Sequence, residues 1–252
     1  MILKRLAESI KKQDWFVVML EVVIVVVGIF IGLQVDDWKT NQDNEALERE
    51  YIERLLLDTD SNIEAVKDQA ESYLGRSRAL QHIIESIDLN TIEQVPAKDL
   101  TYSFCYWYLP ENIDLQSTTY DELIAIGGLE LISDQNVRRQ LQHAWATHRR
   151  VAGELPALGV FQSDLAKSLS PHIEWQLDAP KQTIDQTPTM NMIRAGCHVN
   201  IATLSSDNKI QSVLVQLHRS QGILAGLRSD ELDALEKLSE LLSKSISSGD
   251  SS

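Results

Sequence analysis

The sequence predicts a mainly α protein, with one N-terminal transmembrane helix followed by an extracytoplasmic antiparallel helical bundle. Three observations predict it. The stretch from Trp15 to Val35 is almost wholly apolar, with Glu21 and Gln34 as its strongly polar members. Downstream, apolar residues recur in steps of three and four, the spacing that places side chains on one face of a helix. The chain also has few breakers, 6 Pro and 11 Gly in 252 residues, and no convincing strand pair.

Taken in order, residues 1–14 form a short cytoplasmic tail. They carry Lys4, Arg5, Lys11 and Lys12 against Glu8 and Asp14, a net charge of +2. The apolar span 15–35 follows. About twenty residues at about 1.5 Å each match the roughly 30 Å hydrocarbon core. Trp15 and Trp38 stand at its two borders, where indole rings favour the headgroup region. Basic residues precede the span and Asp36 and Asp37 follow it, which predicts a cytoplasmic N-terminus. The run is too long for the apolar part of a cleaved signal, and Gly32 to Asp37 offers no small-x-small site.

Within the span Glu21, Gly28 and Gly32 fall on one narrow stripe. Gly28 and Gly32 make a small-xxx-small pattern that lets two helix backbones approach. A carboxylate at this depth is costly alone and finds a partner or a proton. The stripe therefore suits association with a second copy or with another membrane protein. The alternative is that Glu21, within two turns of the border, reaches water.

Residues 36–60 read as a charged, solvated stalk, with Glu45, Glu48, Arg49, Glu50, Glu53 and Arg54 on all sides. A helical domain then covers 61–242. An apolar repeat runs through both, at Leu47, Tyr51, Leu55, Ile63, Val66, Ala70, Tyr73 and Leu74, and again at Leu80, Ile83, Ile84 and Ile87. Tyr102, Phe104, Tyr106, Trp107 and Tyr108 concentrate aromatic surface that serves a bundle core or, alternatively, a ligand pocket or partner surface. Thr119 with Glu122 matches a capping box, Gly127–Gly128 stops that helix, and Ser133 or Asp134 caps the next. Pro156 is expected to kink or interrupt it. Pro171 to Asn200, with three prolines, reads as a long connection. Ser206 or Asp207 caps a last helix with apolar positions from Ile210 to Leu242, in which Gly222 and Gly226 mark a candidate break. Residues 243–252 read as a disordered tail.

Two segments resemble a known family. Glu21 to Trp38 (EVVIVVVGIFIGLQVDDW) and Thr119 to Asp134 (TYDELIAIGGLELISD) are similar to stretches of the bacterial domain-of-unknown-function family 6090. The second departs from the family's pattern at Ile126, where a small polar residue is expected. The two segments make up about an eighth of the chain. The resemblance implies a bacterial cell-membrane protein and brings no activity, cofactor or site residue.

Charge and motifs restrict function. The total is −14, so with +2 before the span and −1 from Glu21, residues 36–252 carry −15. Such a domain repels nucleic acid. Cys105 and Cys197 are the only cysteines. In an oxidising compartment they are compatible with one disulfide, whose long loop would contribute about 4 kcal/mol in the chain-entropy account, and equally with two buried thiols. The His/Cys content gives too few ligands at metal spacing, and no hydrolase, phosphate-loop or dinucleotide motif is present. The sequence thus calls for no cofactor, no metal and no catalytic residue. It points to a non-enzymatic interaction or scaffold protein of the cell envelope, with the lipid bilayer and a homo-oligomer or second membrane protein as partners. The alternative is an accessory subunit of a proton-driven membrane complex using Glu21.

Overall fold

In the computed structural model, residues 15–105, 113–175, 197–207 and 209–249 are described. They are mainly helical. The chain divides into two units, Met1–Tyr51 and Ile52–Ser252. Helix α1, Trp15–Asp88, contributes to both.

In the first unit the described part is helix alone. Its large apolar side chains from Val22 to Val35 are 46–64% exposed, on every side of the helix. Nothing lies within 4 Å of where a Cβ on Gly28 or Gly32 would stand. Among the described residues no helix is long and apolar enough to cross a membrane. The described apolar run Val22 to Val35 is fourteen residues, about 21 Å of rise against a core of roughly 30 Å. The side chains of residues 15–18 and of Glu21, which belong to the same run, fall outside the described ones.

The second unit is built on a repeat. In α1, burial recurs at Ile52, Leu55, Thr59, Asn62, Val66, Gln69, Tyr73, Arg76, Leu80 and Ile83. These alternating steps of three and four are the seam of a coiled-coil-like bundle. The same seam runs through α6 (Ile210–Gly249) as Ile210, Leu214, Leu217, Gln221, Leu224, Arg228, Glu231, Leu235, Leu238 and Leu242. Helix α4 (Gln135–Leu169) buries Val137, Leu141, Ala144, Val151, Leu155, Gln162 and Leu169. Pairings fix the directions. Asp60 accepts from Ser239 at 2.7 Å, Ser77 meets His218 at 3.1 Å, and Asp88 accepts from Gln211. Partner numbers fall as α1 rises, so α6 is antiparallel to α1. Gln140 donates to the Ala234 carbonyl at 2.8 Å and Gln162 to Ser220 at 3.0 Å, so α6 is antiparallel to α4 as well. Helices α1 and α4 therefore run the same way, and the segment 89–134 must carry the chain back.

That return contains α2 (Ala97–Cys105) and α3 (Thr118–Ala125). Two three-residue strands, β1 (Ile173–Trp175) and β2 (Cys197–Val199), pair antiparallel with Ile173 opposite Val199, and α5 (Ile201–Ser206) follows. One apolar cluster gathers at this end of the bundle: Leu80 and Ile83 of α1, Leu100 and Phe104 of α2, Val199, Leu204, Ile210, Leu214 and Leu217. A second joins Tyr73, Val151, Leu155, Leu224 and Leu227 across the three long helices.

Several expectations are corrected. The solvated stalk does not extend to residue 60, because Ile52, Leu55 and Thr59 already form a buried stripe. The last helix does not stop at 242 but runs to Gly249, its serines bonding back to carbonyls, as Ser245 does to Leu241 at 3.1 Å. Pro156 does not interrupt α4, and Gly222 and Gly226 do not break α6. Val151 and Leu155 beside the proline, and Leu224 and Leu227 beside the glycines, are seated in the second cluster and hold the helices through. The strand pair escaped sequence reading because three residues give no period. Asp134 caps α4, accepting from the Asn136 N–H at 2.6 Å, and Gly127 ends α3 in the left-handed region at φ 66°, both as expected. Thr119 and Glu122 do not form a capping box. The residue at the N-cap is Ser117, and Thr119 donates instead to Asp58 of α1 at 2.6 Å.

Candidate functional site

The site grows from the way α1 holds the start of α3. Asn62 grips the backbone of Gln116 from both sides, accepting from its N–H at 2.7 Å and donating to its carbonyl at 3.0 Å. Asp58 accepts from Thr119, and Arg54 pairs with Glu122. These bonds lay α3 down so that the Tyr120 ring stacks on Trp145 of α4, centroids 4.9 Å apart and planes 20° apart. His148, one helical turn on, meets Trp145 edge-on at 5.6 Å.

Behind these rings lies a buried polar chain. The Nδ1–H of His148 donates to Oε1 of Glu231 at 2.6 Å, and Oε2 of Glu231 accepts from Arg228. Glu231 is 0% and Arg228 1% exposed, at seam positions of α6 where an aliphatic residue would otherwise sit. Two opposite charges out of water are tolerable only as a pair with further hydrogen bonds, and His148 supplies one. Bonding Nδ1 to a carboxylate fixes the imidazole's orientation and leaves Nε2 as its remaining site. A cavity of about 440 Å³ opens in front, lined by Asp114, Leu115, Ser117, Tyr120, Asp121, Trp145, His148 and Arg149. Ser117 donates its hydroxyl proton to Asp121 at 2.7 Å. The groove thus offers an aromatic wall, a fixed imidazole, two carboxylates and a guanidinium.

The residues singled out from the sequence are placed elsewhere. Glu21, Gly28 and Gly32 lie in the first unit, with the side chain of Glu21 outside the described residues. Cys105 ends α2 and Cys197 begins β2, and these two elements pack together. Both cysteine side chains lie outside the described residues. Of the aromatic cluster, Phe104 is fully buried in the first apolar cluster, Tyr102 has an undescribed side chain, and 106–108 are not described. Among the described residues no group of His, Cys, Asp and Glu stands close enough to hold a metal ion. The groove residues were missed. Their signal was a gap in a pattern: the apolar ladder of the last helix skips at Gln221, Arg228 and Glu231, while the spacing continues.

Fold and groove define a class: a mainly helical protein whose three long helices pack through a shared seam and carry a mixed polar and aromatic groove. Compared with protein-family models, with curated proteins and with solved structures, the chain matches none.

Proposed function

We propose that the chain is a single-pass protein of a bacterial cell membrane, anchored by residues 15–35, whose helical domain on the far side binds a protein partner or a second copy. The observation that carries the reading is the exposure of the apolar helix: Val25 is 60%, Ile29 60% and Phe30 64% accessible, and their neighbours all round are similar. Burying one such side chain is worth about 1.5–3 kcal/mol, so leaving this helix in water is untenable. A helix apolar on every side belongs in lipid or in a core. With Trp15 to Glu21 included, the full run of the sequence matches a bilayer in length. The basic tail before it and the acidic residues after it support a cytoplasmic N-terminus. The stripe of Glu21, Gly28 and Gly32 is where a second transmembrane helix would pack.

The test is a pair of C-terminal fusions in a bacterial host, one to an enzyme active only after export and one to a fluorophore that matures only in the cytosol. Activity of the first and darkness of the second are expected. The reverse pattern contradicts the reading. Crosslinking of intact cells then asks whether the chain recovers itself or a second membrane protein.

A further inference from the structure

The groove in front of His148 carries an inference that does not depend on which side of a membrane the domain occupies. Three charged groups line it: Asp121, which accepts from Ser117 at 2.7 Å, and two of opposite sign, Asp114 and Arg149, both exposed. Among the described residues neither has an ion-pair or hydrogen-bond partner, and they do not pair with each other. The contrast with the next residue is direct: Arg150 is bound to Asp230 at 3.0 Å and to Glu154 at 3.4 Å. The same groove is lined by Leu115, the stacked Tyr120 and Trp145, and the imidazole that Glu231 holds. A free cation alone would meet Arg149, and a free anion alone would meet Asp114. A neutral apolar ligand would strand both charges at its edge. A small molecule carrying both signs satisfies each with its opposite, and an apolar body attached to it covers the aromatic wall.

We infer that the groove binds a small zwitterion of amino-acid type, its ammonium at Asp114, its carboxylate at Arg149 and its apolar side chain against Tyr120 and Trp145. His148, fixed through Nδ1, offers Nε2 to the same ligand. A cavity of about 440 Å³ accommodates one such molecule.

The experiment is calorimetric titration of the full chain in lipid nanodiscs with four probes: phenylalanine, leucine, N-acetylphenylalanine and phenylalaninamide. The two free amino acids bind, and blocking either charge weakens binding about tenfold or more, the usual consequence of losing one charge-assisted hydrogen bond. Asp114→Asn then removes the penalty for acetylation alone, and Arg149→Gln removes the penalty for amidation alone. Both positions are exposed, so the folded chain is retained, which its helical circular dichroism checks. Failure of both amino acids to bind overturns the inference. So does binding of the blocked forms with equal strength, or binding of a neutral disaccharide that neither substitution alters. None of these outcomes bears on the anchor, whose test is the fusion pair.

Discussion

The two stretches of helix α1 that fall in the first and second units use the same backbone for opposite purposes. From Val22 to Val35 apolar side chains point everywhere, and none is buried by the chain. From Ile52 to Ile83 burial keeps to a seam, whose residues are buried to below a tenth of their surface, while Leu57 and Leu74 stand off it, exposed. The first stretch is uniform in composition and makes no choice of face. The second is selective, and admits Asn62, Gln69 and Arg76 to the seam itself. The lesson is that hydrophobic amount and hydrophobic pattern report different solvents. Amount without pattern marks a helix surrounded by one apolar medium, and pattern with polar interruptions marks a helix facing specific neighbours.

The largest expected effect sharpens the polar half of that contrast. Glu231→Ala leaves Arg228 buried without its ion-pair partner and frees His148, and is expected to cost about 3–5 kcal/mol. Denaturant unfolding of the helical domain measures it. A cost below about 1 kcal/mol would mean that the pair is solvated rather than buried.

Next in size is a matched pair of truncations. Leu214→Ala, in the apolar cluster at the α2 end, is expected to cost about 2–5 kcal/mol. Val25→Ala, 60% exposed, is expected to leave the unfolding of the domain unchanged to within about 0.5 kcal/mol. Equal costs at the two positions would break the comparison, since they would place Val25 in a packed core.

Glycines give a smaller and opposite pair. Gly222 and Gly226 are exposed in the middle of α6 with open space beyond them. Replacing each by Ala is expected to stabilise the domain by about 1 kcal/mol. At Gly28 and Gly32 space is equally open, yet there bulkier residues such as Ile are expected to reduce self-association or pairing of the anchor in crosslinking, with domain stability unmoved. Retained crosslinking in Gly28→Ile with Gly32→Ile removes the stripe from the account.

The smallest effect concerns acid. The hydrogen bond and charge of Lys244 hold the Glu240 carboxyl below its ordinary range. A depressed folded pKa contributes stability that is present above the unfolded value and is lost as pH falls through the folded one. Glu240 is fully exposed, so Glu240→Gln is expected to change the pH profile of unfolding by no more than measurement error.

The long helices were legible because their seams are long, and helix ends were legible where one residue decides them, as Gly127 does after α3 and Asp134 before α4. What escaped had no local signature. Asp58 closes the start of α3 from sixty residues away, and no reading of Thr119 to Glu122 alone finds it. The groove depends on Trp145, His148, Tyr120 and Glu231 arriving from three helices, and only the charged residues at seam positions of α6 hinted at it. Pro156 and the α6 glycines misled for the converse reason: local propensities of about 1–3 kcal/mol are outweighed by a packed interface.

The central proposal is that residues 15–35 lie in lipid. Alkaline carbonate extraction of membranes from cells expressing the full chain tests it most directly, beside a chain lacking those residues. The account predicts that the full chain stays in the pellet and that the shortened chain appears in the supernatant. A full-length chain released by carbonate would contradict it.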